Sequence, residues 1–123
     1  MQFVKFGFHS GLGLIKGKVI KISNKKNKEI KIPHVGWNEI YPNNDKKEWK
    51  NKILKSSLIG KSFYFVHSFV CLTDNSESTI AVCNYLGISI PAVVSVKNIF
   101  GCQFHPEKSA DNGLIFLKNF CEI

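Results

Sequence analysis

Ile99-Phe-Gly-Cys-Gln-Phe-His-Pro-Glu-Lys-Ser109 is the stretch on which the reading of this chain turns. Its first part, Ile99 to Phe104, is apolar and aromatic in the manner of a β-strand. Pro106 has no N–H to give to a ladder, so the strand must end and the chain must turn there. His105 and Glu107 are thereby carried to a strand's end. A carboxylate two residues from a histidine can orient the ring and stabilise its charged form. That is the second half of a nucleophile–base–orienter triad. A bare His-x-Glu is also what a surface turn with an incidental ion pair looks like, and spacing alone does not separate the two.

Working outward, Pro91–Val96 and Ile99–Phe104 flank Lys97-Asn98, which predicts a hairpin. Ser62–Leu72 is a continuous aromatic and β-branched run suited to one buried strand, and Ser78–Leu86 reads as another. Gly17–Ile22 alternates as a strand, Asn24–Glu29 is a polar turn, and Ile30–Ile32 resumes the alternation, so a hairpin is expected there. His34-Val-Gly-Trp-Asn38 reads as a loop. Trp49, Ile53, Leu54 and Leu58 have helical spacing, which predicts a helix over Asn44–Leu58, capped by Asn44 or Asp45 and ended by Gly60. Leu114, Ile115, Leu117 and Phe120 predict a short amphipathic helix over Asn112–Phe120. The fold class is α/β and strand-rich, without enough helix to cover both faces of a doubly wound sheet.

The chain has 123 residues, about one domain, and 44% of them are apolar. No apolar run approaches the roughly 20 residues of a membrane helix, and the start lacks the pattern of a signal peptide. The expectation is a cytoplasmic protein without membrane contact. The net charge is +8, yet the 17 basic residues are all lysine. Arginine is the usual reader of base edges and phosphate forks, so its absence argues against a nucleic-acid partner. The four cysteines, Cys71, Cys83, Cys102 and Cys121, sit singly among apolar residues and read as small buried hydrophobes. His34, His67 and His105 could supply three metal ligands, but nothing in their spacing supports it and no acidic cluster completes it. No metal and no cofactor are expected.

The residues around His105 weigh against the bland reading. Gly101-Cys-Gln-Phe-His-Pro-Glu107 resembles the signature of class I glutamine amidotransferases, in which the histidine is the general base and the glutamate orients it. The resemblance implies those roles for His105 and Glu107. Lys108 and Ser109 extend it toward the glutaminase subunits of imidazole glycerol phosphate synthases, where the lysine lies at the contact with the cyclase. Pro33-His-Val-Gly-Trp-Asn38 is similar to the Pro-His-Met-Gly-Trp-Asn stretch of those subunits, which implies that Trp37 faces the cyclase. Tyr64-Phe-Val-His-Ser-Phe69 resembles their Tyr-Phe-Val-His-Ser-Tyr strand, whose end holds the substrate glutamine largely through backbone groups. That points to Ser68 and Phe69. Gly11-Leu-Gly-Leu-Ile-Lys-Gly17 resembles a further segment of the family, and with no strand before it and no clear helix after it, it is not a phosphate loop.

The resemblance covers nearly the whole chain and implies the C-terminal part of a flavodoxin-like amidotransferase domain over residues 1–123. The family's nucleophile stands in Gly-x-Cys-Leu-Gly-x-Gln, N-terminal to everything matched here, and none of the four cysteines has that setting. The implied function is supply of ammonia from glutamine to a cyclase of (β/α)-barrel fold, as one half of a heterodimer in histidine biosynthesis, with the chain inactive alone. Amidation of surface sugars and a non-catalytic remnant that only docks on a cyclase are the alternatives.

Overall fold

In the computed structural model, residues 2–4, 8–23, 30–44, 46–49 and 51–123 are described. Ten strands and one α-helix lie among them. They are β1 (Gln2–Val4), β2 (Phe8–Ser10), β3 (Gly17–Lys21), β4 (His34–Glu39), β5 (Tyr41–Pro42), β6 (Ser62–His67), β7 (Phe69–Thr73), β8 (Thr79–Tyr85), β9 (Ile88–Val96), β10 (Ile99–Cys102) and α1 (Ala110–Cys121).

The strands form three sheets. β5, β8, β9 and β10 make an antiparallel sheet in the order β10-β9-β8-β5. Its two tight hairpins are set by residues with positive φ: Leu86 and Gly87 between β8 and β9, and Lys97 between β9 and β10. The second is the hairpin expected at Lys97-Asn98, with Val96 opposite Ile99. Pro91 pairs with Val82 beside a register irregularity at Ala81, where a missing N–H is tolerated. A second sheet has the order β2-β1-β3-β7, with β1 and β3 parallel and its other pairs antiparallel. β4 and β6 form an antiparallel pair of their own.

The core gathers the inward side chains of these sheets with α1 laid across them. Phe63 and Phe65 of β6 meet Phe104, and Phe104 meets Phe116 of α1 at 5.1 Å between ring centres. Ile40, Ile53, Leu54, Leu58, Ala81, Ile90 and Val93 complete it.

Several expectations need correction. His34–Asn38 is a strand: Gly36, at φ +141°, lets the extended chain pass, and His34 and His67 pair across the ladder. The run Ser62–Leu72 is divided at Ser68 between two sheets rather than forming one strand. Ile30–Ile32 forms no strand, and the turn assigned to Asn24–Glu29 lies outside the described residues.

Asn44–Leu58 is not an α-helix. Its described residues are irregular up to a 3-10 turn at Ser56–Leu58, and the candidate cap Asp45 is outside them. Asn51 accepts a hydrogen bond from the Ile53 N–H at 2.9 Å, a local bond that competes with helix. Trp49 donates its indole N–H to the Ile80 carbonyl at 2.7 Å. The apolar residues of the segment are buried all the same. Here the spacing marked burial rather than helix.

The C-terminal helix is present, running Ala110–Cys121. Its buried face is Gly113, Phe116 and Asn119, while Leu114, Ile115, Leu117 and Phe120 are exposed. The expected apolar stripe is thus the outer one. Of the cysteines only Cys83 is buried, whereas Cys102 and Cys121 reach solvent. No described helix is long and apolar enough to cross a membrane.

Candidate active site

β10 ends at Cys102, and the chain bends through Gln103 and Phe104 into a 3-10 turn at Pro106–Lys108. Phe104 is buried and anchors the bend. The Gln103 N–H donates to the Ala92 carbonyl at 2.8 Å, and the His105 N–H donates to the Tyr64 carbonyl at 3.0 Å. The turn is therefore tied to β9 on one side and β6 on the other. Pro106 stands at its first position, where a fixed φ and a missing N–H cost nothing.

A buried hydroxyl closes the link. Ser109 is fully buried, and its Oγ donates to the His105 carbonyl at 2.6 Å while accepting the Tyr64 N–H at 3.0 Å. His105 is thus fixed at both its backbone N–H and its carbonyl.

His105 Nδ1 lies 2.9 Å from Glu107 Oε1, with both side chains partly open to solvent. Glu107's own backbone N–H, then the His105 ring, hold its carboxyl below the usual carboxylate range. An ionised carboxylate at Nδ1 selects the tautomer with its proton on Nδ1 and leaves Nε2 bare. A base poised this way can take a proton from a nucleophile that approaches Nε2.

The other expected residues fall around this turn. Trp37 of β4 pairs with Tyr64 of β6, their rings edge to face at 5.9 Å. Since Tyr64 also holds His105 and Ser109, Trp37 and the turn carrying Lys108 share one rim. Trp37 is 53% exposed, so it is no core tryptophan; that role belongs to Trp49. Ser68 and Phe69 lie further along the same chain, at the break between β6 and β7. His67 precedes them and feels the charge of His105.

His34 and His67 do meet, but ring to ring, with His34 Nδ1 2.8 Å from His67 Nε2. No group of three metal-binding side chains occurs among the described residues. Sequence reasoning named Tyr64 and Ser109 only within matched segments, and His34 and His67 only as metal ligands; the bonds they make were not read from it. A histidine and an asparagine four residues apart on a strand, His34 and Asn38, share one face, and that was a usable signal.

Two of the cysteines, Cys83 and Cys102, are set against a nucleophile's role. Burial pushes the Cys83 thiol up to about 12; Cys102 has an exposed edge, yet the protein packed around its sulfur desolvates it and pushes the thiol up to about 11, with Glu107 adding to this. The strand ends at Cys102, so alternation says nothing of its side relative to His105.

An imidazole held by a carboxylate on a rigid turn at a strand's end is an arrangement suited to general-base chemistry. The chain belongs to the class I glutamine amidotransferase family, whose model matches residues 8–122. It is 42% identical over 121 residues to imidazole glycerol phosphate synthase subunit HisH 1 of Legionella pneumophila strain Lens, covering 97% of this chain and 57% of that protein. It is 41% identical over 110 residues to the HisH subunit of Pyrococcus furiosus, covering 89% of this chain and 52% of that protein. The HisH subunit of Caldanaerobacter subterraneus subsp. tengcongensis is 43% identical over 117 residues, 95% of this chain and 53% of that protein. The chain thus spans little more than half the length of these curated relatives. Its strand-rich α/β architecture with a C-terminal helix accords with the flavodoxin-like domain of that family.

Proposed function

We propose that this chain is the C-terminal portion of a glutaminase that supplies ammonia to an imidazole glycerol phosphate synthase, with His105 as general base and Glu107 as its orienter. The observation that carries the reading is the 2.9 Å contact between His105 Nδ1 and Glu107 Oε1, on a turn tied to β6 and β9. In this reading a cysteine sulfur attacks the amide carbon of glutamine, and His105 takes the thiol proton and passes it to the leaving ammonia. Water then hydrolyses the thioester, with His105 again as base. Ser68 and Phe69 offer backbone groups to the charged end of glutamine. In this reading the cysteine comes from outside these 123 residues, because none of the four here stands in the family's Gly-x-Cys-Leu-Gly setting.

Ammonia would pass to a cyclase subunit of (β/α)-barrel fold. Exposed Trp37 and the adjacent turn with Lys108 form the rim that would meet it in a heterodimer.

The test is ammonia release from glutamine. The purified chain alone should release none above background, with or without cyclase. A polypeptide supplying the family's Gly-x-Cys-Leu-Gly segment should restore turnover, and His105→Ala should abolish it. Turnover by the chain alone, or turnover indifferent to His105, would sink the proposal.

The raised thiols of Cys83 and Cys102 and the exposure of Trp37 favour a second reading, a non-catalytic module that docks on a cyclase. Capture of cyclase by the chain, lost in Trp37→Ala with Lys108→Ala, while no added segment restores turnover, would establish it.

A further inference from the structure

Two acceptors, one at each end, fix the protons of the His34–His67 pair. Asn38 Nδ2 donates to the Asn84 carbonyl at 3.2 Å, so the amide's oxygen faces the other way. That oxygen lies 2.7 Å from His34 Nε2 and accepts, so Nε2 carries a hydrogen. The flipped amide would set Oδ1 against the Asn84 carbonyl, two acceptors with no proton between them. At the other end the Phe69 carbonyl lies 2.9 Å from His67 Nδ1 and accepts, so Nδ1 also carries a hydrogen.

Two neutral rings have one N–H each, and both are now spent outward. The contact left between them, His34 Nδ1 to His67 Nε2 at 2.8 Å, would join two bare lone pairs. A third proton turns it into a hydrogen bond and gives the pair one positive charge. We propose that His34 and His67 share this single extra proton, and that it makes His67 a positioning residue for the Ser68–Phe69 backbone. The assignment of Ser68 and Phe69 to glutamine rests on the function proposed above; the proton count does not.

The surroundings say where the charge is tolerated. His34 is fully buried between the ring faces of Phe65, at 5.2 Å, and Tyr85, at 4.0 Å. Aromatic faces stabilise a cation between them. The titratable groups facing the pair are Tyr85 of β8, whose hydroxyl donates to the Lys31 carbonyl, and His105 of the turn after β10, itself bonded to Glu107. Burial pushes proton affinity at His67 down, the Phe69 carbonyl opposes this, and the charges of His34 and His105 add to the fall. A lowered histidine is charged only on the acid side of its ordinary range. The shared proton is therefore held only on the acid side of the ordinary histidine range and leaves as pH rises.

When it leaves, the neutral pair keeps two bonds of three. His67 moves its remaining hydrogen to Nε2 and donates to His34. The bond given up is the half-exposed one to the Phe69 carbonyl, where water can take its place. The strand break at Ser68 then loses its side-chain tether.

Histidine ring NMR on the full chain between pH 5 and pH 8 tests this, with backbone amide shifts followed in parallel. The pair should release one proton, not two. His34 Nε2 should stay protonated throughout, and His67 Nδ1 should lose its hydrogen as pH rises. The amides of Ser68 and Phe69 should move with that same midpoint. Asn38→Asp, which keeps the shape and sets a carboxylate against His34 Nε2, should raise the midpoint by about one unit or more. Two independent proton releases, a His67 Nδ1 protonated across the range, or Ser68 and Phe69 amides that ignore the midpoint would each overturn the inference. Adding glutamine separates the two claims: unmoved Ser68 and Phe69 amides would remove the glutamine assignment and leave the shared proton standing.

Discussion

A Cβ placed on Gly113 would stand 1.9 Å from the carbonyl oxygen of Pro106 and 2.9 Å from Ser109 Cβ. Glycine is what allows α1 to lie directly on the turn that carries His105 and Glu107. Gly113 is buried in the helix, where alanine would otherwise be preferred by about 1 kcal/mol.

Gly113→Ala should therefore destabilise against helix propensity. The clash is with backbone, which cannot rotate away, so either α1 or the turn must shift. Overpacking of this kind typically costs about 1–3 kcal/mol. Thermal unfolding should show a midpoint lower by on the order of 5–10 °C. The His105 ring resonances should change as well, because the turn moves with the clash. An unchanged or higher midpoint would mean that α1 does not sit on Pro106.

The cysteine environments give a prediction in pH. With its thiol pushed up to about 11, Cys102 should be about one part in a thousand thiolate at pH 8, against about a quarter for an ordinary thiol. Cys83, pushed up to about 12, should be slower still and is buried besides. Alkylation of the folded chain followed by mass spectrometry should label Cys121 first. Labelling at Cys102 should rise about tenfold per pH unit well past pH 9. Rapid modification of Cys102 at pH 7 would contradict its described setting and revive it as a candidate nucleophile.

Asn119 ties α1 to the irregular segment before β6. Its Nδ2 donates to the Ile53 carbonyl at 2.9 Å, and both residues are buried. Asn119→Ala would leave that carbonyl without its donor in an apolar site, a loss of about 1–3 kcal/mol. Denaturant melts read that loss directly. Hydrogen exchange should show faster opening around Ile53 and Leu54 than around β8 and β9. A melt unchanged from the parent would mean the segment is held by its apolar contacts alone.

These particulars show what the sequence could convey. The strands β8, β9 and β10 were legible because alternation and two-residue turns are local. The meeting of His105 and Glu107 was legible because Pro106 forces a turn wherever it stands. The loop assigned to His34–Asn38 was in fact a strand, because its partner β6 lies some thirty residues on and pairing is not a local property. The helix expected at Asn44–Leu58 failed because Asn51 and Trp49 bond to nearby or distant backbone instead. The outward stripe on α1 misled for a related reason. Gly113 and Asn119 do not look like core residues, and only the carbonyls of Pro106 and Ile53 explain why they face inward.

Ser109 is the clearest case of a role that pattern reading does not reach. A serine just before a helix suggests an N-cap, yet its Oγ makes no cap bond. It joins the Tyr64 N–H to the His105 carbonyl instead, from a fully buried position. Ser109→Ala would leave the Tyr64 N–H without its acceptor and the His105 carbonyl with the Lys108 N–H alone, at a cost of about 1–3 kcal/mol. Ser109→Cys keeps the volume and a weak donor and should recover part of that. The distinguishing readout is the His105–Glu107 contact. In Ser109→Ala the His105 Nδ1 proton should exchange faster with solvent, as the ring loses its fixed approach to Glu107, while rings distant from the turn stay as they were. Were stability lost with the His105 Nδ1 signal unchanged, the hydroxyl would be holding β6 without holding the base.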